Sequence, residues 1–185
     1  MAVQITYFVH GTTTDNESEL STGWLPGELS ALGIQQAKNL GGQVEDKKFD
    51  ALFCSDLKRA VDSAELGFGE TYAVIPDARL RECNYGDLNG APADSFKDGR
   101  MQEYVDTSFP NGESYKDVQA RMADFLSFLK QHYDGKHIAI IAHEGPQLAL
   151  DVLLGGKDWP QAIAENWRNT KAWKPGWEYH ITQAS

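Results

Sequence analysis

A chain of 185 residues, 41% hydrophobic and 24% charged, carries enough apolar side chains for a buried core of ordinary domain size. Its formal net charge of -10 speaks against a nucleic-acid surface, which would show as a basic excess, and no stretch approaches the length of a membrane span. Cys54 and Cys83 are too few for a disulfide framework, and no basic residue precedes the first apolar run, so a cytoplasmic protein without a secretory signal is expected.

Residues 3–9 are a continuous β-branched and aromatic run and predict a buried strand. Residues 11–28, rich in Thr, Asn, Ser, Gly and Pro, predict a loop. A helix is expected to open at Leu29-Ser30, with Ser30 as its N-cap. Leu32, Ala37 and Leu40 lie at helical spacing, and Gly41-Gly42 marks the stop. Residues 49–54 predict a second strand. Ser55-Asp56 is expected to cap a helix that reaches Gly67, and residues 71–75 predict a third strand. The segment from Pro92 to Thr107 is polar and weakly helical. The longest helix begins after Asn111-Gly112-Glu113-Ser114 and ends near Tyr133, with Val118, Met122, Phe125, Leu126 and Leu129 on its apolar face. A strand over 137–142, a helix over 145–154 and a last strand over 178–181 follow. Trp159, Trp167, Trp173 and Trp177 lie in the tail and read as packing. Alternating strands and helices predict a largely parallel sheet covered on both faces. No repeat or linker divides residues 1–185, which are expected to form a single domain.

Two of the strands end alike. His10 closes the run Ile5-Thr6-Tyr7-Phe8-Val9 and is followed by Gly11-Thr12-Thr13. His143 closes Ile138-Ala139-Ile140-Ile141-Ala142 and is followed by Glu144-Gly145-Pro146. Sites in α/β sheets form at the carboxyl ends of the strands, so both histidines can face one pocket. An acidic chain that handles phosphate must gather its positive charge locally, so a few arginines are expected to meet the histidines in the fold.

Four motifs occur in register: His10-Gly11-Thr12-Thr13 with Asn16; Ser55-Asp56-Leu57-Lys58-Arg59-Ala60; Leu80-Arg81-Glu82-Cys83-Asn84-Tyr85-Gly86; and Ala142-His143-Glu144-Gly145. With Asn111-Gly112-Glu113-Ser114 ahead of the long helix, the chain resembles the histidine phosphatase superfamily from about residue 3 to residue 182. That superfamily holds phosphoglycerate mutases, fructose-bisphosphatases, α-ribazole phosphatases and broad-specificity phosphatases. The resemblance implies a three-layer α/β/α sandwich. It gives His10 the role of phosphoryl-accepting nucleophile, Arg59 that of a phosphate-clamping fork and His143 that of a second phosphate-binding histidine. Glu82 matches the acid/base carboxylate. Gly11, Thr12, Thr13 and Asn16 would add neutral donors to the phosphate. Arg81 and Glu144 border the same site, Arg81 more as an ion-pairing support than as a substrate contact. No metal-ligand cluster is found, and no cofactor is implied.

Each residue also has an ordinary reading. A histidine after a strand can be structural, as His132, His137 and His180 are expected to be. Arg59 can pair on a helix surface, Glu82 can be a solvated partner of Arg81, and Cys54 and Cys83 can be small buried fillers.

Two positions depart from the family pattern. The family pattern has an arginine before the histidine; here Val9 either replaces it or follows a one-residue deletion. Losing a preorganised donor of that kind costs about 10²–10³ in rate, and Lys58, Arg81 or Arg100 are candidates to compensate. Glu144 stands where glycine is common. It can be a solvated turn residue, an alternative proton donor, or a carboxylate that favours protonated His143.

The resemblance therefore implies a metal-independent phosphomonoesterase acting on a small phosphorylated metabolite through a phosphohistidine at His10. A mutase needs extra chain to exclude water from its phosphoenzyme, and the stretch between Glu82 and Glu113 is modest. Two other readings stand beside it: a phosphate-ligand binding or regulatory protein that has lost turnover, and a phosphoglycerate-type mutase. Lys97, Arg100 and Tyr104 are candidate selectivity residues. A monomer and a homodimer are both open, and neither nucleic acid nor membrane is an expected partner.

Overall fold

In a computed structural model, which describes residues 2–96, 100–171 and 174–182, the chain opens on β1 (Val3–Val9). It turns through α1 (Thr14–Glu17) and β2 (Leu20–Ser21) into α2 (Ala31–Gln43). β3 (Ala51–Cys54), α3 (Lys58–Phe68) and β4 (Val74–Pro76) follow. A stretch of short 3-10 turns then holds β5 (Ala91–Pro92) and α4 (Arg100–Glu103). α5 (Tyr115–His132), β6 (His137–Ala142) and α6 (Glu144–Leu153) come next. α7 (Trp159–Ala164), α8 (Trp167–Thr170) and β7 (Trp177–Ile181) close the order.

The main sheet has the strand order β4-β3-β6-β1-β7. Its first four strands are parallel, and β7 runs antiparallel along β1. Side chains alternate faces along a strand, and the alternation here divides the core in two. Ile5, Tyr7, Phe53, Ile138 and Ile140 pack with Val118, Met122, Phe125 and Leu129 of α5 and Leu148 of α6. Phe8, Leu52, Cys54, Ala139 and Ile141 pack with Leu40 of α2 and Ala64 and Phe68 of α3. The result is a mostly parallel sheet between two helical layers, the α/β/α arrangement the resemblance implies. Strands buried on both faces read as unbroken apolar runs, which is why β1 and β6 stand out in the sequence.

Local signals explain most boundaries. Ser114 caps α5: its hydroxyl accepts from Asp117 N at 3.1 Å, while the Asp117 carboxylate accepts from Ser114 N at 2.8 Å. Ser30 caps α2 by accepting from Gly33 N at 3.2 Å. Three expectations are corrected. First, α2 runs through Gly41-Gly42 to Gln43, and Leu32 is exposed; Gly33, Ala37 and Leu40 form the buried face. Gly41 serves close packing rather than termination: a Cβ on it would lie 2.3 Å from Gly67 O. Second, α3 begins after Leu57 with no side-chain cap; the Ser55 hydroxyl accepts from Leu57 N inside the preceding turn. Third, the 11–28 loop contains α1 and β2, and the tail contains α7 and α8, elements too short to leave a periodic signal. Lys97 and Trp173 lie outside the described residues, as does the side chain of Arg100.

Candidate active site

The β1–β6 register pairs Val9 with Ala142, so the next residues on each strand, His10 and His143, emerge side by side. His10 N donates to Ala142 O at 3.1 Å, and the two imidazoles sit with ring centroids 5.1 Å apart at 61°. Tyr7 fixes the second histidine from the neighbouring strand. Its hydroxyl donates to His143 O at 2.6 Å and accepts from His143 N at 3.0 Å.

The tautomer of His10 follows from its partners. Nδ1 lies 2.7 Å from Gly11 O, and a carbonyl oxygen only accepts, so Nδ1 carries the hydrogen and Nε2 the lone pair. Arg59 Nε donates to that Nε2 at 3.3 Å. Burial, helped by the Arg59 charge, lowers the His10 pKa to about 3, so the imidazole is neutral across the physiological range. Arg59 itself is 2% exposed and is held by Gly23 O at 2.8 Å and Leu25 O at 2.9 Å. His143 is fully buried, and neither of its ring nitrogens has a hydrogen-bond partner among the described residues. Leaving such a group unsatisfied costs about 1–3 kcal/mol, a cost an incoming oxygen ligand would relieve. Burial and the Arg59 charge hold His143 well below the usual histidine range.

Glu82 completes the set from the turn after β4. Its Oε1 accepts from Cys83 N at 2.8 Å and from Gly145 N at 3.0 Å. A Cβ on Gly145 would lie 2.3 Å from that oxygen, so only glycine allows the approach. Burial, then the charge of Glu144, raises the Glu82 pKa against the two amides. With Oε1 taken by two donors, a proton on this carboxyl resides on Oε2. Arg121 braces the segment. It donates to Arg79 O and Arg81 O at 2.7 Å and to Glu82 O at 2.9 Å, while pairing with Glu113 at 3.0 Å. Trp24 Nε1 adds a bond to Glu82 O at 2.7 Å. Sequence reasoning missed Arg121; its signal was an arginine on the apolar stripe Val118–Met122–Phe125.

His10, Arg59 and Glu82 line one cavity of about 490 Å³, together with Asn16, Glu144 and Arg168. The donors expected from the first turn are occupied within the protein. Gly11 N donates to Ser63 Oγ at 3.0 Å, Thr12 N and Oγ1 both donate to Gln36 Oε1 at 2.9 Å, and Thr13 N donates to Asn16 Oδ1 at 3.1 Å. They hold the turn rather than present themselves to a ligand. Arg81 forms a bidentate pair with Asp56, both bonds 2.7 Å, lies over the Trp24 ring and does not line the cavity, so it braces the Glu82 segment. Lys58 is likewise engaged, with Asp62 and Glu28. Tyr104 stacks on Phe109 at 3.7 Å; Met101 and Gln102 line the cavity in its place. Glu144 pairs with Arg168 at 2.6 Å and accepts from Asn166 Nδ2. It does not favour protonated His143, whose pKa moves the other way under burial. Arg168 is the second residue sequence reasoning missed.

Cys54 and Cys83 are free and buried in the two halves of the core. Among the described residues no group of three or more His, Cys, Asp or Glu is placed to hold a metal, and no helix is long and apolar enough to cross a membrane.

Comparison with known proteins places this geometry. The family profile of the histidine phosphatase superfamily (branch 1) matches residues 7–176. A 2,3-bisphosphoglycerate-dependent phosphoglycerate mutase of Methylorubrum extorquens is 32% identical over 163 residues, covering 80% of this chain and 76% of the mutase. The mycobacterial glucosyl-3-phosphoglycerate phosphatase superposes with a TM-score of 0.75 at 28% identity, over 89% of this chain and 84% of its own. The α-ribazole phosphatase of Shigella flexneri does so with a TM-score of 0.73 at 27% identity, over 88% and 84%. With the fold, the paired strand-end histidines and these matches in agreement, the chain belongs to the histidine phosphatase superfamily, branch 1.

Proposed function

We propose that this protein is a metal-independent phosphomonoesterase that dephosphorylates a small metabolite through a phosphohistidine on His10. The observation that carries the reading is the neutral His10, whose Nε2 lone pair is oriented by Arg59 Nε at 3.3 Å, beside a cavity that His10, Arg59 and Glu82 line together. The Nε2 lone pair forms a bond to phosphorus as the ester P–O bond breaks. The proton on Glu82 Oε2 passes to the departing alkoxide. Glu82, now a carboxylate, takes a proton from water as that water attacks phosphorus. The P–N bond breaks, and inorganic phosphate and neutral His10 remain. The fork of Arg59 and a ring N–H of His143 would hold the equatorial oxygens, where the charge of a phosphoryl transition state resides.

The test is phosphate release from a panel of monoesters in the presence of chelator. His10→Ala is expected to abolish it, by at least about 10⁴-fold. Full release from that variant would sink the reading. The mutase similarity supplies a second one, in which label moves between phosphorylated positions with little free phosphate. A wild type that binds phosphate esters without turnover would indicate a ligand-binding protein instead.

A further inference from the structure

Arg168 comes from α8, near the far end of the chain, yet it lines the cavity over Glu82 together with His10 and Arg59. It also lines a second cavity of about 640 Å³ that meets the first at His10 and includes Val9. Its charge is felt at the nucleophile, where it helps lower the His10 pKa. Three neighbours set its place. Nε lies 2.6 Å from Glu144 Oε2, the guanidinium carbon sits 4.5 Å over the Trp167 ring, and Arg168 N donates to Asn166 Oδ1 at 3.0 Å. Asn166 in turn donates through Nδ2 to Glu144 Oε1. Glu144 directly follows His143, so the carboxylate that anchors this cation is tied by one peptide bond to a site histidine.

We propose that Arg168, delivered by Glu144, is a phosphate-binding residue of this site and supplies the positive charge that apolar Val9 cannot. The proposal rests on the phosphatase reading for its ligand. A guanidinium offers five N–H donors, and a carboxylate on the Nε side leaves terminal amino groups for phosphoryl oxygens. The two departures from the family pattern then form one arrangement: Val9 leaves the strand end uncharged, and Glu144 brings a cation from α8.

The experiment measures inorganic phosphate affinity by calorimetry, alongside kcat and KM on p-nitrophenyl phosphate and a thermal melt, for four proteins: wild type, Arg168→Ala, Arg168→Lys and Val9→Arg/Arg168→Ala. Losing a charged hydrogen bond predicts about 10–100-fold weaker phosphate binding in Arg168→Ala with an unchanged melt. Arg168→Lys is expected to retain part of the affinity, and the double variant to regain part of it. Unchanged affinity in Arg168→Ala, equal losses in the Ala and Lys variants, or no phosphate binding by wild type would overturn the proposal. Phosphate affinity requires no turnover. His10→Ala retaining hydrolysis would therefore remove the phosphatase reading while the Arg168 comparison was still decided by binding.

Discussion

On the floor of the cavity, Arg59 and Glu82 are less than a tenth exposed, and His143, fully buried, lies behind it beside His10; the backbone holds or surrounds each of them. On the outer wall, Glu144 and Arg168 meet as an ion pair whose arginine side chain is 43% exposed, carried by short helices. The floor uses burial to set protonation: His10 and His143 are driven neutral and Glu82 toward its protonated form. The wall keeps its charges and works by attraction. The difference teaches a division of labour. Groups that exchange protons or electron pairs sit where desolvation tunes them, and a group that only attracts an anion can remain near water, where ion pairs are worth about 0–1 kcal/mol.

Glu82→Gln breaks the floor most sharply. The amide keeps the shape but has no proton to give. It should slow the phosphorylation step, read as the pre-steady-state release of alcohol, by about 10²–10⁴-fold on alkyl phosphates and far less on p-nitrophenyl phosphate, whose leaving group needs no proton. Equal losses in the rate of His10 phosphorylation on both esters would remove Glu82 from protonation of the leaving group. The wild type should also lose activity on the basic side, as Glu82 deprotonates from its raised pKa. No acid limb from His10 is expected above about pH 3.

Gly33→Ala tests how rigidly the floor is mounted. A Cβ there would lie 1.9 Å from Thr12 O, so α2 and the His10 turn must part. The expected cost is about 1–3 kcal/mol in urea unfolding, with reduced kcat. A neutral substitution would mean that the turn tolerates displacement.

His143→Gln probes the smallest effect. The folded pKa of His143 is lowered, so below the ordinary value of 6.5 the unfolded chain binds a proton that the folded one refuses. Stability is therefore lost as pH falls from 6.5. Removing one such group should flatten the fall between pH 7 and 5, by at most about 1.4 kcal/mol per pH unit. An identical pH profile in variant and wild type would contradict a neutral buried His143.

The same contrast explains what the sequence disclosed. His10 and His143 were legible because each ends a strand whose both-face burial leaves an unbroken apolar run. Arg59 and Glu82 were legible through the resemblance. Arg121 and Arg168 were not. The first depends on α5 packing its stripe against the Glu82 turn, the second on a four-residue helix that no periodicity reveals. The partners of Thr12 and Thr13 were not legible, because Gln36 and Asn16, which take both Thr12 donors and the Thr13 N–H, meet them through the packing of α2 and the capping of α1. Donor inventories read along the chain do not show which donors are already spent.

β1 lies at residues 3–9, yet both of its neighbours in the sheet, β6 and β7, come from residues 137–181. During synthesis β1, which leads into His10, has no pairing partner until residues 137–142 have been made. Contacts this distant in sequence also slow folding after release. A chain truncated before residue 137 would therefore carry His10 without the strand that sets it beside His143.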